Sequence, residues 1–150
     1  MSAAPHVPVL LEEVIAALDL QPGDVAARIN FCTLDSDGKV TDRRAGRIGS
    51  GVGASLAERL DGMDLGVYIE CIVRHVKDYR ACVVFRGDSL NGCVPDTDPQ
   101  ATGVEPLVPQ ALDSAAVATA SLACAFVAKG EKLLVDQSAA NGVLLRGFGT

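Results

Sequence analysis

Val25-Ala26-Ala27-Arg28-Ile29-Asn30-Phe31-Cys32-Thr33-Leu34, followed by Asp35-Ser36-Asp37-Gly38 and Lys39-Val40-Thr41, is the stretch on which the fold turns. The outer runs read as strands, and the Asp-Gly pair between them favours a tight turn with positive φ, so the three pieces predict a β-hairpin. Asp35-x-Asp37-Gly38 superficially matches the start of a calcium loop. It lacks the later ligands and the bidentate glutamate of such a loop, which leaves the turn. Directly after the hairpin, Asp42-Arg43-Arg44-Ala45-Gly46-Arg47 gathers three arginines within one short exit.

Outward from the hairpin, Gly66 to Val73 and Tyr79 to Arg86 are rich in β-branched and aromatic residues and read as paired strands, with His75 to Asp78 near their connection. Gly49-Ser50-Gly51-Val52-Gly53-Ala54 mimics a dinucleotide fingerprint, but no apolar strand precedes it. A flexible loop opening a helix at Ser55 to Leu60 is the expectation. Four prolines between Asn91 and Gln110 predict a long ordered loop, a kind of segment that often carries function. Asp113 or Ser114 caps a helix running from Ala115 to about Lys132, and Val143 to Arg146 supplies a last strand. Ahead of the hairpin, residues 6–15 read as an extended segment passing into a short helix at Ala16 to Leu18 that ends near Pro22-Gly23.

These elements predict an α+β fold: a mixed or antiparallel sheet with helices packed on one face, as a single domain. Residues 1–22 form an N-terminal extended segment with its short helix, and residues 23–150 the body. A length of 150 residues suits one core, and an apolar share of 49% argues against disorder. A formal net charge of −6 disfavours nucleic acid as a partner, because polyanion binding needs Lys and Arg to displace counterions. A local arginine cluster can still grip a small anion through bidentate guanidinium forks. Five cysteines without a Cys-x-x-Cys pair read as buried thiols in a reducing compartment. With neither a basic leader nor an apolar run of about 18 residues, no membrane partner and a cytoplasmic location are expected. Asp96-Thr97-Asp98-Pro99 offers two carboxylates without a third ligand, so a loop cap or hydrogen-bonding hub is expected there and no metal.

Three stretches carry a resemblance: Gly23 to Ile48, Val94-Pro95-Asp96-Thr97-Asp98-Pro99-Gln100-Ala101-Thr102-Gly103, and Ala140-Asn141-Gly142-Val143-Leu144-Leu145-Arg146-Gly147-Phe148. In this order they resemble the archaeal-type, 2,3-bisphosphoglycerate-independent phosphoglycerate mutases, over roughly residues 18–149. The resemblance implies an insertion domain that covers substrate above an alkaline-phosphatase-like core. In the reaction it implies, a core serine takes the phosphoryl group, glycerate reorients, and the phosphate returns to the other hydroxyl, a glycolytic isomerisation. The core would supply that serine and two divalent metals such as Mn or Mg; no cofactor and no catalytic residue are expected in this chain, which has only His6 and His75 as histidines.

As the resemblance implies, Arg44 and Arg47 are the first expected substrate contacts, followed by Arg43, Arg86 and Arg146. Asp42, Asp96 and Asp98 orient these guanidiniums or accept substrate hydroxyls. The expected partners are a phosphoglycerate-like small anion and the phosphatase-like core, with self-association through any face the core leaves bare. Two further readings are carried: a noncatalytic small-anion-binding module or remnant chain, and a ribosomal-RNA cytosine methyltransferase remnant. The last rests on Pro5-His6-Val7-Pro8-Val9-Leu10-Leu11-Glu12-Glu13-Val14-Ile15, which is similar to the start of that enzyme family, but no glycine-rich cofactor turn follows.

Overall fold

A computed structural model describes residues 14–149; the methyltransferase-like opening before Val14, His6 included, lies outside the described residues. Val25–Leu34 forms β1, the axis of the molecule. Its alternation settles the sheet: Val25, Ala27, Ile29 and Phe31 are fully or nearly fully buried, while Ala26, Arg28 and Asn30 point the other way. β2 (Val40–Asp42) folds back on its far end, pairing Leu34 with Val40 and Thr33 with Asp42. The turn between them is closed by Asp35, whose Oδ1 accepts the N–H groups of Asp37 and Lys39 at 2.9 Å each. Gly38 takes φ of +79°, the conformation that the Asp-Gly reading required.

β3 (Glu70–Lys77) and β4 (Arg80–Arg86) form the second hairpin, and β5 (Gly142–Gly149) closes the chain. All pairings are antiparallel: β4 and β5 flank β1, and β3 lies outside β4. Two helices, α1 (Ser50–Leu60) and α2 (Val117–Leu133), cover one face; a single 3-10 turn, capped by Asp113, leads into α2. Leu56, Ala57 and Leu60 of α1 and Ala123 and Phe126 of α2 join Ile29, Phe31, Val83, Phe85 and Leu145 in the main core. Phe85 and Phe126 meet edge to face, 5.7 Å between centroids, and burying each ring stabilises by about 2–3 kcal/mol.

The glycine-rich stretch differs from its expected loop. Gly51 and Gly53 lie inside α1, which starts at Ser50 rather than near Ser55. The reason is packing: a Cβ at Gly53 would collide with the Asp78 carbonyl and the His75 ring. Gly53 lets the first turn of the helix press on the β3–β4 connection, where Ser50 Oγ accepts the Asp78 N–H at 3.0 Å. β3 starts at Glu70, four residues later than the sequence suggested, and continues through His75 to Lys77.

Both outer strands have edge groups engaged, which lessens the hazard of an open sheet edge. On β3, Gly62 N–H donates to the Cys71 carbonyl, and Val73 N–H donates to Asp61 Oδ1. On β5, the proline-rich segment does the work. Residues 87–113 contain neither helix nor strand. Thr97 exchanges two hydrogen bonds of 2.9 Å with Leu145, and Asp96 accepts the Gly147 N–H. The same segment reaches the first hairpin, where Val40 N–H donates to the Val104 carbonyl and Gly103 N–H to the Val40 carbonyl. One strap therefore ties β2 to β5, bringing the residues after β2 beside the middle of β5.

Candidate functional site

The sheet face turned away from the helices holds a cavity of about 430 Å³. Five arginines line it: Arg28 from β1, Arg80 from β4, Arg146 from β5, and Arg43 and Arg44 just beyond β2, together with Asn30 and Tyr79. The alternation that buries Ile29 and Leu145 turns their neighbours Arg28 and Arg146 outward, and the strand register sets these two directly opposite each other. Two like charges across a ladder repel, so their juxtaposition favours an anion between them.

A second groove, about 260 Å³, shares Arg44, Tyr79 and Arg80 with the cavity and adds Arg47 and Asp78. Arg47 arrives there through an unusual turn: Ala45, Gly46 and Arg47 have φ of 50°, 64° and 59°, in the left-handed region that non-glycine residues seldom take. Two features hold this turn. Ala45 is fully buried in the main core, and the Asp42 carboxylate accepts the N–H groups of Arg44 at 2.7 Å and Gly46 at 3.0 Å. Asp42 thus braces the backbone that presents Arg44 and Arg47.

Two aspartates stand behind the cavity. Asp98, with a side chain only 1% exposed, accepts from Arg43 Nε at 3.1 Å and Nη2 at 3.0 Å, and lies 3.8 Å from Arg146 Nη1. Asp96 lies 3.6 Å from Arg146 Nε, a buried nitrogen with no hydrogen-bond partner among the described residues. Burial by itself would raise the Asp98 carboxyl, but the Arg43 hydrogen bonds, the Gln100 N–H and the nearby Arg146 charge hold it below its ordinary value of 3.8. It therefore stays ionised. Among the described residues no carboxylate lies within ion-pair distance of Arg28, Arg44 or Arg80, and the hydrogen bond of Arg80 goes to the Tyr79 hydroxyl. Five guanidiniums against two carboxylates leave the cavity strongly positive in a chain of net charge −6.

Arg86 lies elsewhere, beside the turn at the start of β1. Its Nε and Nη2 grip Asp24, and Nη2 also donates to the carbonyl of Asp19. The expected set therefore divides. Arg43, Arg44 and Arg146 share the cavity, Arg47 lines the adjoining groove, Asp42, Asp96 and Asp98 support them, and Arg86 pairs structurally. Sequence reading missed Arg28 and Arg80; the signal for Arg28 was a charge between buried alternate positions of a strand. Cys32 and Cys71 are thiols that burial pushes up to about 12, and Cys82 one pushed to about 11, so none is a thiolate at neutral pH. No group of three or more His, Cys, Asp or Glu among the described residues is placed to hold a metal. Among them, too, no helix is long and apolar enough to cross a membrane.

Comparison with known proteins gives the arrangement a context. A probable 2,3-bisphosphoglycerate-independent phosphoglycerate mutase of Thermus thermophilus is 42% identical over 136 residues, covering 86% of this chain but 32% of the relative. Its counterpart in Deinococcus radiodurans is 39% identical over 148 residues, 92% of this chain and 35% of the relative. The solved cofactor-independent phosphoglycerate mutase of Thermoplasma acidophilum superposes with a TM-score of 0.79 at 30% identity, covering 88% of this chain and 38% of that one. This chain thus spans about a third of the length of the relatives it matches. The profile of the 2,3-bisphosphoglycerate-independent phosphoglycerate mutases matches residues 10–140, and the chain belongs to that family.

Proposed function

We propose that this chain is the substrate-covering domain of a cofactor-independent phosphoglycerate mutase, which interconverts 2-phosphoglycerate and 3-phosphoglycerate, and that it has no turnover of its own. The observation that carries the reading is the arginine cavity. A phosphoglycerate bears about three negative charges near neutral pH, counting a phosphate and a carboxylate. Arg28, Arg44 and Arg80 meet it as cations without carboxylate partners among the described residues, while Arg43 and Arg146 meet it as guanidiniums already held by aspartates. Bidentate forks from several directions fix a ligand in orientation as well as in place.

The acidic residues described in the cavity do not suit the divalent metals that the family resemblance implies. Asp96 and Asp98 are turned to arginines, and a positive cavity repels a cation. Metals and the phosphoryl acceptor belong, in this reading, to a phosphatase-like core outside the 150 residues, and that core is the partner of the arginine face. The domain binds the anion, holds it, and excludes water from it in a cytoplasmic enzyme.

Titration of the isotope-labelled chain with 3-phosphoglycerate at fixed ionic strength tests this. Saturable shifts at Arg28, Arg43, Arg44, Arg80 and Arg146, absent at Arg86, are expected. Absence of a saturable response at the cavity arginines would sink the reading.

A further inference from the structure

Asp98 stands where three parts of the chain meet: the exit of the first hairpin, the middle of β5, and the strap between them. Both of its carboxylate oxygens take Arg43, and Arg146 Nη1 is at 3.8 Å from Oδ2. The Gln100 N–H adds a third donor at 2.8 Å. Its neighbour Thr97 is bonded to Leu145 in both directions, so the backbone that carries the carboxylate is tied to β5. Asp96, the other acid near Arg146, already accepts the Gly147 N–H at 2.8 Å through Oδ1. Among the described residues, the one group common to Arg43 and Arg146 is Asp98.

We propose that Asp98 is a positioning residue that sets Arg43 and Arg146 as a single unit, so that a small anion in the cavity meets both guanidiniums already in place. The proposal rests on the anion-binding reading above and adds to it a division within the cavity. Arg43 and Arg146 are preset and mutually dependent, whereas Arg28, Arg44 and Arg80 are independent of them. Presetting lowers the ordering cost of binding, since long arginine side chains otherwise lose rotamer freedom when a ligand fixes them.

Simple electrostatics predicts the opposite sign, which makes the proposal testable. Deleting a negative charge beside an anion site strengthens anion binding when charge alone matters. Asp98→Asn is expected instead to weaken 3-phosphoglycerate by about tenfold, the effect of degrading one charge-assisted hydrogen-bonding group. In the same variant the side-chain Nε–H resonances of Arg43 and Arg146 both move, while that of Arg59, paired with Asp136, stays. Unchanged or tighter binding, or movement of Arg43 alone, overturns the proposal.

Should Asp98→Asn fail to fold, Arg43→Gln decides. With a shared carboxylate, loss of Arg43 frees Asp98 for Arg146 and shifts the Arg146 Nε–H; an unmoved Arg146 signal refutes the shared unit. If the unaltered chain binds no 3-phosphoglycerate, the anion-binding reading falls, and the paired Nε–H shifts still decide whether Asp98 couples the two arginines.

Discussion

Two aspartate–arginine pairs in this molecule are built alike and sit in different surroundings. Asp24 and Asp98 are both buried carboxylates with side chains no more than 3% exposed, and each is gripped through Nε and Nη2 by an arginine about one third exposed. The difference lies in what the guanidinium has left over. Arg86 divides its donors among Asp24 and the carbonyls of Leu18 and Asp19, with Glu70 3.8 Å from Nη1, so it is used up in fastening the turn before β1 to β4. Among the described residues Arg43 is hydrogen-bonded to Asp98 alone, and it lines the cavity with its remaining surface. An arginine's partner list, more than its burial, separates the fastener from the cavity-lining arginine.

Removing the fastener has the largest expected effect. Asp24→Ala deletes the acceptor of Arg86 and of the Gln21 N–H, inside the turn that leads into the central strand. Loss of a buried acceptor with a charged partner costs about 2–3 kcal/mol. Urea denaturation is expected to show that loss, while affinity for 3-phosphoglycerate stays as in the unaltered chain. A matching drop in affinity would mean that the two pairs are not separate.

The same contrast marks how far the sequence could be read. Strand propensity, the Asp-Gly turn and the proline-rich interval place β1, its hairpin and the strap, because each depends on neighbours close along the chain. Arg86 and Arg146 both carry the local signature of a strand arginine, and nothing near Arg86 reports that Asp24 waits 62 positions earlier. Arg28 and Arg80 were missed for the complementary reason. They become part of a site only when β4 and β5 close on either side of β1, a long-range register that no short motif records. Gly53 is a similar case: in sequence it marks a loop, yet the close approach of Asp78 turns it into a requirement of the helix.

Next in size is a reversal of that first result at Arg28. Arg28→Gln removes a cation that has no carboxylate partner among the described residues and that faces Arg146 across the ladder. Relief of like-charge repulsion leaves the unfolding midpoint equal or slightly higher, while 3-phosphoglycerate affinity falls about tenfold with one charged donor gone. Arg86→Gln is expected to do the converse, lowering the midpoint and sparing the affinity. Isothermal titration and thermal melts on the two variants separate site from fastener, and equal effects of both on affinity would erase the distinction.

Acid breaks both pairs most gently, since protonation removes the charge but keeps the shape of the carboxyl group. For Asp24, burial pulls the carboxyl upward, but the Arg86 hydrogen bonds and the Gln21 N–H hold it below the ordinary 3.8, as Arg43, Gln100 and Arg146 do for Asp98. A carboxyl lowered on folding binds fewer protons in the native state than in the unfolded one. Its stabilisation is therefore complete above the unfolded value and disappears as the pH falls through the folded value. The contribution of these two carboxyls to stability is expected to be flat at neutral pH and to fall on acidification below about pH 4. Asp24→Asn and Asp98→Asn each remove one part of that acid dependence, and the double variant removes both parts additively, because the pairs share no partner. An acid limb of unchanged steepness in Asp24→Asn would show that the native fold does not hold Asp24 below its ordinary range, and the likeness of the two pairs would end there.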